Sequence, residues 1–216
     1  MEIKDIIDLT NSIYNEMPVW PSSPLPEIKR SGIIPREDYN IEEIKTMTHT
    51  STHIDAPYHF SESGETVDNL NLRSIVGDGF CIEIDKKPGE EITAQDLRSK
   101  WREYYNNIIL IRTGFSKIRS FDRNFLYNFP GLSMDAADFF MDKNVKTIGI
   151  DTLGIEPYWH SDFPVHKKLL SRGFIFIEDM NLENLIEGKR YFIVALPIKI
   201  KNGSGAMARC IALDIY

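Results

Sequence analysis

Residues 47–60 read MTHTSTHIDAPYHF, and whether they form a strand or a helix decides what the chain can build. His49, His53, Asp55 and His59 all fall at odd positions. In an extended strand successive side chains alternate faces, so these four would project from one side. In a helix, at about 100° per residue, Asp55 would lie roughly 200° from His53 and the set would scatter. Pro57 disfavours the α conformation at Ala56 and offers no backbone donor, and Thr46, Thr48, Thr50 and Thr52 suit a pleated strand. The pattern predicts a strand over 44–56 that frays at Pro57, with His59 turning in just beyond it.

Working outward, the 216 residues are 42% hydrophobic and 26% charged, the balance of a globular chain with a sizeable core. They are expected to form one domain, 1–216. A net charge of −7 with no basic block argues against nucleic acid or an anionic membrane as partner. No apolar run approaches the roughly 18–20 residues of a membrane span, and the first residues lack the pattern of a secretory signal. Cys81 and Cys210 have no CxxC spacing, which excludes the usual thiolate zinc site and fits a reducing cytoplasm.

Elsewhere the punctuation is mixed. Pro18, Pro21, Pro24 and Pro26 keep the segment around Trp20 extended and irregular. Thr93 and Asp96 form a variant capping box ahead of a helix carrying Leu97, Trp101 and Tyr104 or Tyr105. IILIRT (108–113) and VKTIGID (145–151) read as buried strands, with a helix capped by Ser133 and stopping near Asn144 between them. Asp162 and Pro164 read as an N-cap and early helical proline for a helix ending at Gly173. GFIFIED (173–179) follows as a strand, NLENLI as a short helix, and YFIVALPI and AMARCIALDI as late strands. The expected class is mixed α/β (α+β) with a largely β core.

Imidazoles and a carboxylate on one face mix borderline nitrogen with hard oxygen donors. That set suits Zn²⁺ or Mn²⁺ better than Ca²⁺. The remaining histidines, His160 and His166, and the acids Asp151, Glu156, Asp162, Glu178 and Asp179 are candidates for completing it. His166 falls in the first turns of a predicted helix and Glu178 at the end of the strand that follows.

The segment HTSTHIDAPYHF resembles the signature H-x-G-T-H-x-D-x-P-x-H-F of the metal-dependent cyclase family, which includes bacterial kynurenine formamidases (arylformamidases) and isatin hydrolases. IDLTNSIYNEMPVWPSS, FPGLSMDAADFF, GIDTLGIE, FPVHKKLL, NLENL and PIKIKNGSGAMARCIAL resemble further family segments, so the likeness spans nearly the whole chain. It implies a swivelling β/β/α domain, assembled as a dimer or tetramer. It implies His49, His53 and Asp55 as metal ligands, with Asp55 bridging to a second ion held by His166 and Glu178, and so one or two ions of Zn²⁺ or Mn²⁺ per subunit. It places a proton-transferring role on His59 and a pocket-lining role on Trp20, where Tyr58 and Phe60 are further packing surfaces. Ser51 departs from the pattern, standing where glycine is usual: serine is strained if the position needs a positive φ or close approach by a ligand, and otherwise its hydroxyl is expected to reach a ligand or a metal-bound water at the substrate pocket.

The activity this implies is hydrolysis of a C–N amide-type bond by a metal-activated water, in a small N-formyl aromatic amine such as N-formylkynurenine. The rival within the family is an isatin-type or cyclic-imide ring hydrolase. The rival from another class is a protein that binds metal or a small ligand without turnover, against which a third, offset imidazole at 59 argues.

Overall fold

The computed structural model describes residues 2–215. In chain order its elements are β1 (Ile3–Asp8), β2 (Glu27–Gly32), α1 (Ile34–Glu37), β3 (Ile41–Lys45), β4 (His53–Asp55), β5 (Val76–Glu83), α2 (Ala94–Lys100), β6 (Asn107–Arg112), α3 (Arg123–Tyr127), α4 (Met134–Met141), β7 (Val145–Ile150), α5 (Pro164–Leu170), β8 (Ile175–Glu178), β9 (Arg190–Pro197) and β10 (Gly205–Ile215). The class is mixed α/β with a sheet-dominated core. β5, β6, β7 and β8 run parallel to their neighbours. β4, β10 and β9 continue the sheet antiparallel and return it to β5. β10 therefore closes a seven-stranded barrel, with β1 paired along its outer edge.

Strand alternation sorts the apolar residues into two layers. Ile54, Cys81, Ile108, Leu110, Ile175, Ile177, Tyr191 and Cys210 fill the barrel interior. Ile82, Ile109, Ile111, Ile148 and Phe176 face outward and are covered by Leu97 of α2, Phe140 of α4 and Leu169 of α5. His53 pairs directly with Glu178, and Asp55 with Phe176. With Ile54 pointing in, His53, Asp55 and Glu178 share the outer face against which α5 packs.

The long strand expected over 44–56 is not formed. β3 ends at Lys45, β4 begins at His53, and 46–52 bend between them. Ser51 adopts φ 58°, a left-handed conformation that breaks the pleat. Pro57 instead opens a single 3₁₀ turn, Pro57–His59. The Thr93–Asp96 capping box forms, but α2 stops at Lys100 because Trp101 turns extended (ψ 140°). Ser133 caps α4, which stops at Met141, short of Asn144. Asp162 does not cap α5: the N-cap is Phe163 at φ 51°, without a side-chain bond. Asn181–Ile186 holds one turn, not a helix, since Asn181 Oδ1 accepts from the Glu183 amide and one turn already buries Leu182 and Leu185.

Candidate metal centre and pocket

Five segments deliver the polar side chains. β4 supplies His53 and Asp55, β8 supplies Glu178, and all three are buried. The bend before β4 supplies His49, and the 3₁₀ turn after it supplies His59. α5 supplies His166 as its third residue. Gly205 makes room for the His49 ring, because a Cβ there would sit 2.5 Å from His49 Cε1 and 2.4 Å from the Ile54 carbonyl oxygen.

Asp55 lies at the centre. Its Oδ1 is 2.6 Å from His49 Nδ1 and 3.2 Å from His53 Nε2. Its Oδ2 is 3.7 Å from His166 Nε2 and 3.9 Å from His59 Nε2. Glu178 faces His53 Nε2 through Oε2 at 3.5 Å and His166 Nε2 through Oε1 at 3.3 Å. Tetrahedral ligands at about 2.0–2.2 Å from a zinc ion stand about 3.3–3.6 Å from one another. The spacings among His53, Asp55, Glu178 and His166 are of that size, so this buried N/O donor set fits a divalent cation. His49 differs, being hydrogen-bonded to Asp55 through Nδ1 and to Ser204 Oγ through Nε2 at 2.9 Å. His49, Asp55 and His59 nevertheless bring one donor atom each within 4.8 Å of the others, as do His53, Asp55 and Glu178. Asp55 belongs to both groups.

The other nitrogen of each inner imidazole is occupied. His53 Nδ1 donates to the Ser51 carbonyl at 2.8 Å and His166 Nδ1 to Glu156 Oε1 at 2.5 Å, which leaves both Nε2 atoms facing the carboxylates. Glu156 is fully buried and would cost several kcal/mol unpaired. It accepts from the Val165 and His166 amides as well as two imidazoles, and so meets the open amides of α5 that Asp162 does not. Burial pushes its carboxyl up, but the hydrogen bond and charge of His166 and the amides of His166 and Val165 together hold it below the usual glutamate value.

The electrostatics follow from crowding. Burial pulls His53 and His166 toward neutrality, yet Asp55 and Glu178 raise His53 to about 9, and Glu156 and Glu178 raise His166 to about 10. Burial also raises Asp55, but the charges of His59 and His49 and the bonds from His49 and His53 leave it well below the ordinary aspartate range. His59 goes the other way: burial brings it down to about 4.

These groups lie along a cavity of about 330 Å³ whose other walls are Val19, Trp20, Met47, Phe60, Leu153 and Phe163. Trp20 is both packing anchor and wall, with ring centroids 5.2 Å from Tyr158, 5.9 Å from Phe163 and 6.0 Å from Phe129. Phe60 likewise lines the cavity and packs on the outer core, whereas Tyr58 is exposed. Ser51 borders the cavity, but its hydroxyl donates to the Asn11 carbonyl at 3.0 Å and not toward the donor cluster. Asp151 serves the turn that follows β6, accepting from Thr113 and Gly114. The role of Glu156 had no local signal in the sequence, because its partners stand four to ten residues away across a loop. Ser204 and Asn11 were missed because the residues they meet, His49 and Ser51, are remote in the chain.

A family model described as "Putative cyclase" matches residues 7–157. The kynurenine formamidase of Geobacillus thermodenitrificans is 30% identical over 207 residues, 94% of each chain. A solved structure of a "predicted metal-dependent hydrolase" from Bacillus stearothermophilus is 32% identical, covers 98% of both chains and superposes with a TM-score of 0.82. Isatin hydrolase A from Labrenzia aggregata, 24% identical, covers 97% of this chain and 93% of its own at a TM-score of 0.86, a likeness of fold.

Proposed function

The chain belongs to the putative cyclase family, and on that premise we propose that it is a metal-dependent hydrolase of C–N amide-type bonds, acting on small N-formyl aromatic amines such as N-formylkynurenine. The observation that carries this reading is the convergence of His53, Asp55, Glu178 and His166 beside a cavity walled by Trp20, Phe60 and Phe163. His49, His53 and Asp55 would hold one divalent ion, zinc or manganese, and His166 and Glu178, together with Asp55, would hold a second where two bind. A divalent ion supplies Lewis acidity toward a carbonyl oxygen and toward water.

The chain's own groups do the rest. The aromatic walls take the aryl ring and exclude water from its faces. His59 stands 30% exposed at the cavity, and burial keeps its imidazole neutral near pH 7. Its Nε2 accepts the proton of the attacking water and returns it to the departing nitrogen, so the aryl amine leaves and formic acid, which then ionises to formate in water, is released. Asp55 Oδ2, 3.9 Å from that nitrogen, stabilises the imidazolium formed in between.

The further parts of the reading have their own support. A sheet that draws strands from Ile3 to Ile215 favours one hydrolase domain. The β2–β3 ribbon, with Ile41 and Ile44 exposed, favours a homo-oligomer, dimer or tetramer, since an isolated two-stranded ribbon is marginal alone. Two free, buried thiols fit a cytoplasmic protein. Among the described residues no helix is long and apolar enough to cross a membrane.

The test is metal analysis of the purified protein joined to a screen of N-formyl aromatic amines, isatin and cyclic imides. Turnover of the formyl amines that disappears with chelation and returns with metal is expected. Metal-dependent opening of isatin or an imide alone would move the chain to ring hydrolysis. Stoichiometric metal with no turnover of any of the three would favour binding without catalysis.

A further inference from the structure

Behind His166 runs a chain of side chains that the hydrolytic reading does not use. His166 Nδ1 meets Glu156 Oε1 at 2.5 Å, Glu156 Oε2 meets His160 Nδ1 at 3.0 Å, and His160 Nε2 meets Glu91 Oε1 at 2.7 Å. We propose that His160 and Glu91 are positioning residues for His166, acting through Glu156; the inference rests on the reading of His166 as a metal-holding residue.

The geometry distributes four donors over the two oxygens of Glu156. Oε1 receives the His166 amide and ring, and Oε2 receives the Val165 amide and the His160 ring. A carboxylate with donors on both oxygens cannot turn about its own axis without breaking a bond on each side. Without His160, Oε2 keeps one donor, at 3.1 Å, so the carboxylate is held less firmly on that side and its range of orientation widens. The imidazole it orients rocks with it, and a ligand ring that samples several orientations binds an ion less tightly.

Glu91 gives the chain a fixed end. The Ile92 amide donates to the Gly131 carbonyl at 2.8 Å and the Leu132 amide to the Ile155 carbonyl at 2.7 Å, so the backbones at 91–92, 131–132 and 155–156 are laced together. Gly131 permits that approach, since a Cβ there would stand 2.5 Å from the Glu156 carbonyl carbon. Glu91 is thus a partly exposed carboxylate on a stationary strip, and His160 spans from it to a buried one. The loop it pins also carries Tyr158 and Phe163, whose rings pack on Trp20. One latch therefore serves a metal-holding side chain and the aromatic wall together.

The experiment measures zinc affinity by chelator competition on the full-length protein, with kcat and KM on an N-formyl aromatic amine alongside. His160→Ala is expected to weaken zinc binding toward the lower end of the about 10–100-fold that outer partners of ligands contribute, and to raise KM. Glu91→Gln should shift both in the same direction by less. The double variant should match His160→Ala, because Glu91 acts only through that ring. His160→Gln, which returns an N–H donor toward Glu156, should recover part of the affinity. Zinc affinity unchanged in both His160→Ala and Glu91→Gln, while His166→Ala loses it, would overturn the latch and leave the metal reading standing. Unchanged affinity in His166→Ala would overturn both. Should His160→Ala fail to fold, Glu91→Gln at the exposed end decides the matter alone.

Discussion

His53 and His166 present the same atom, Nε2, to the same two carboxylates, but their other nitrogens are held in different ways. His53 is tied to a backbone carbonyl two residues earlier, so the shape of its own loop sets the ring. His166 is tied to the side chain of Glu156, which in turn depends on His160 and Glu91. A carbonyl cannot be removed by substitution, whereas a carboxylate can. The difference teaches that the β4 half of the site is as stable as its backbone, while the α5 half is adjustable through residues that touch neither substrate nor ion. The causes of the charges differ as well: burial opposes protonation of both rings, Asp55 and Glu178 raise His53, and Glu156 joins Glu178 and Asp55 in raising His166.

The change that should erase the comparison is Asp55→Ala, since Asp55 reaches both halves and, unlike Glu178, also faces His49 and His59. Bound metal and turnover are expected to vanish together, a loss beyond the about 10–100-fold of an outer partner. Elemental analysis showing wild-type metal in this variant would sink the central assignment. Next comes His59→Asn, which keeps bulk and hydrogen bonding but cannot shuttle a proton. Metal content should hold while kcat falls about 10²–10⁴-fold. Metal loss instead would move His59 among the ligands, where its grouping with His49 and Asp55 would already place it.

Glu156→Gln sharpens the contrast itself. The amide can accept from only one side, so the His166 half should lose about 10–100-fold in metal affinity while the His53 half keeps its ion. Titration with zinc should then resolve one tight and one weakened equivalent. Two equally weakened equivalents would mean the halves do not act separately.

Metal removal tests the charges. In the stripped protein both imidazoles have folded values above the ordinary 6.5 of histidine. Their protonation therefore stabilises the fold fully below about pH 6.5, and that contribution is lost as pH rises through about 9 and about 10. The melting temperature of stripped protein should fall across this window, and that of loaded protein should not, because the ion occupies the nitrogens. Parallel curves for the two forms would contradict the placement of the rings.

How much of this was legible in the sequence follows the same division. His49, His53, Asp55 and His59 lie within eleven residues, and their density and the family likeness picked them out. Alternation held for His53 and Asp55, which do share a face of β4. It failed upstream, because the turn at Ser51 takes His49 off any strand. The residues alone made His166 and Glu178 no more than candidates, and only the family likeness implied that they hold an ion. Glu156 looked like any loop acid, and only the fold brings its oxygens against His166 and His160. The start of α5 was misjudged because a residue outside the helix, Glu156, meets its open amides in place of Asp162.

The smallest expected effect belongs to Ser51→Gly, at the hinge of the β4 half. Serine at φ 58° carries the left-handed cost of an L residue, on the order of 1–2 kcal/mol. Glycine removes that cost but is more flexible unfolded, which returns roughly 0.5–1 kcal/mol. It also loses the hydroxyl bond to the Asn11 carbonyl, worth about 0.5–1.5 kcal/mol. The terms nearly cancel, so the melting temperature should barely move. Metal affinity should hold as well, because His53 is tethered by the Ser51 carbonyl, which glycine keeps. Turnover should change modestly, since position 51 borders the cavity and losing the Asn11 tie loosens its wall. Loss of zinc in Ser51→Gly would show that the hydroxyl, and not the backbone, holds the loop in shape, and the β4 half would then depend on a side chain just as the α5 half does.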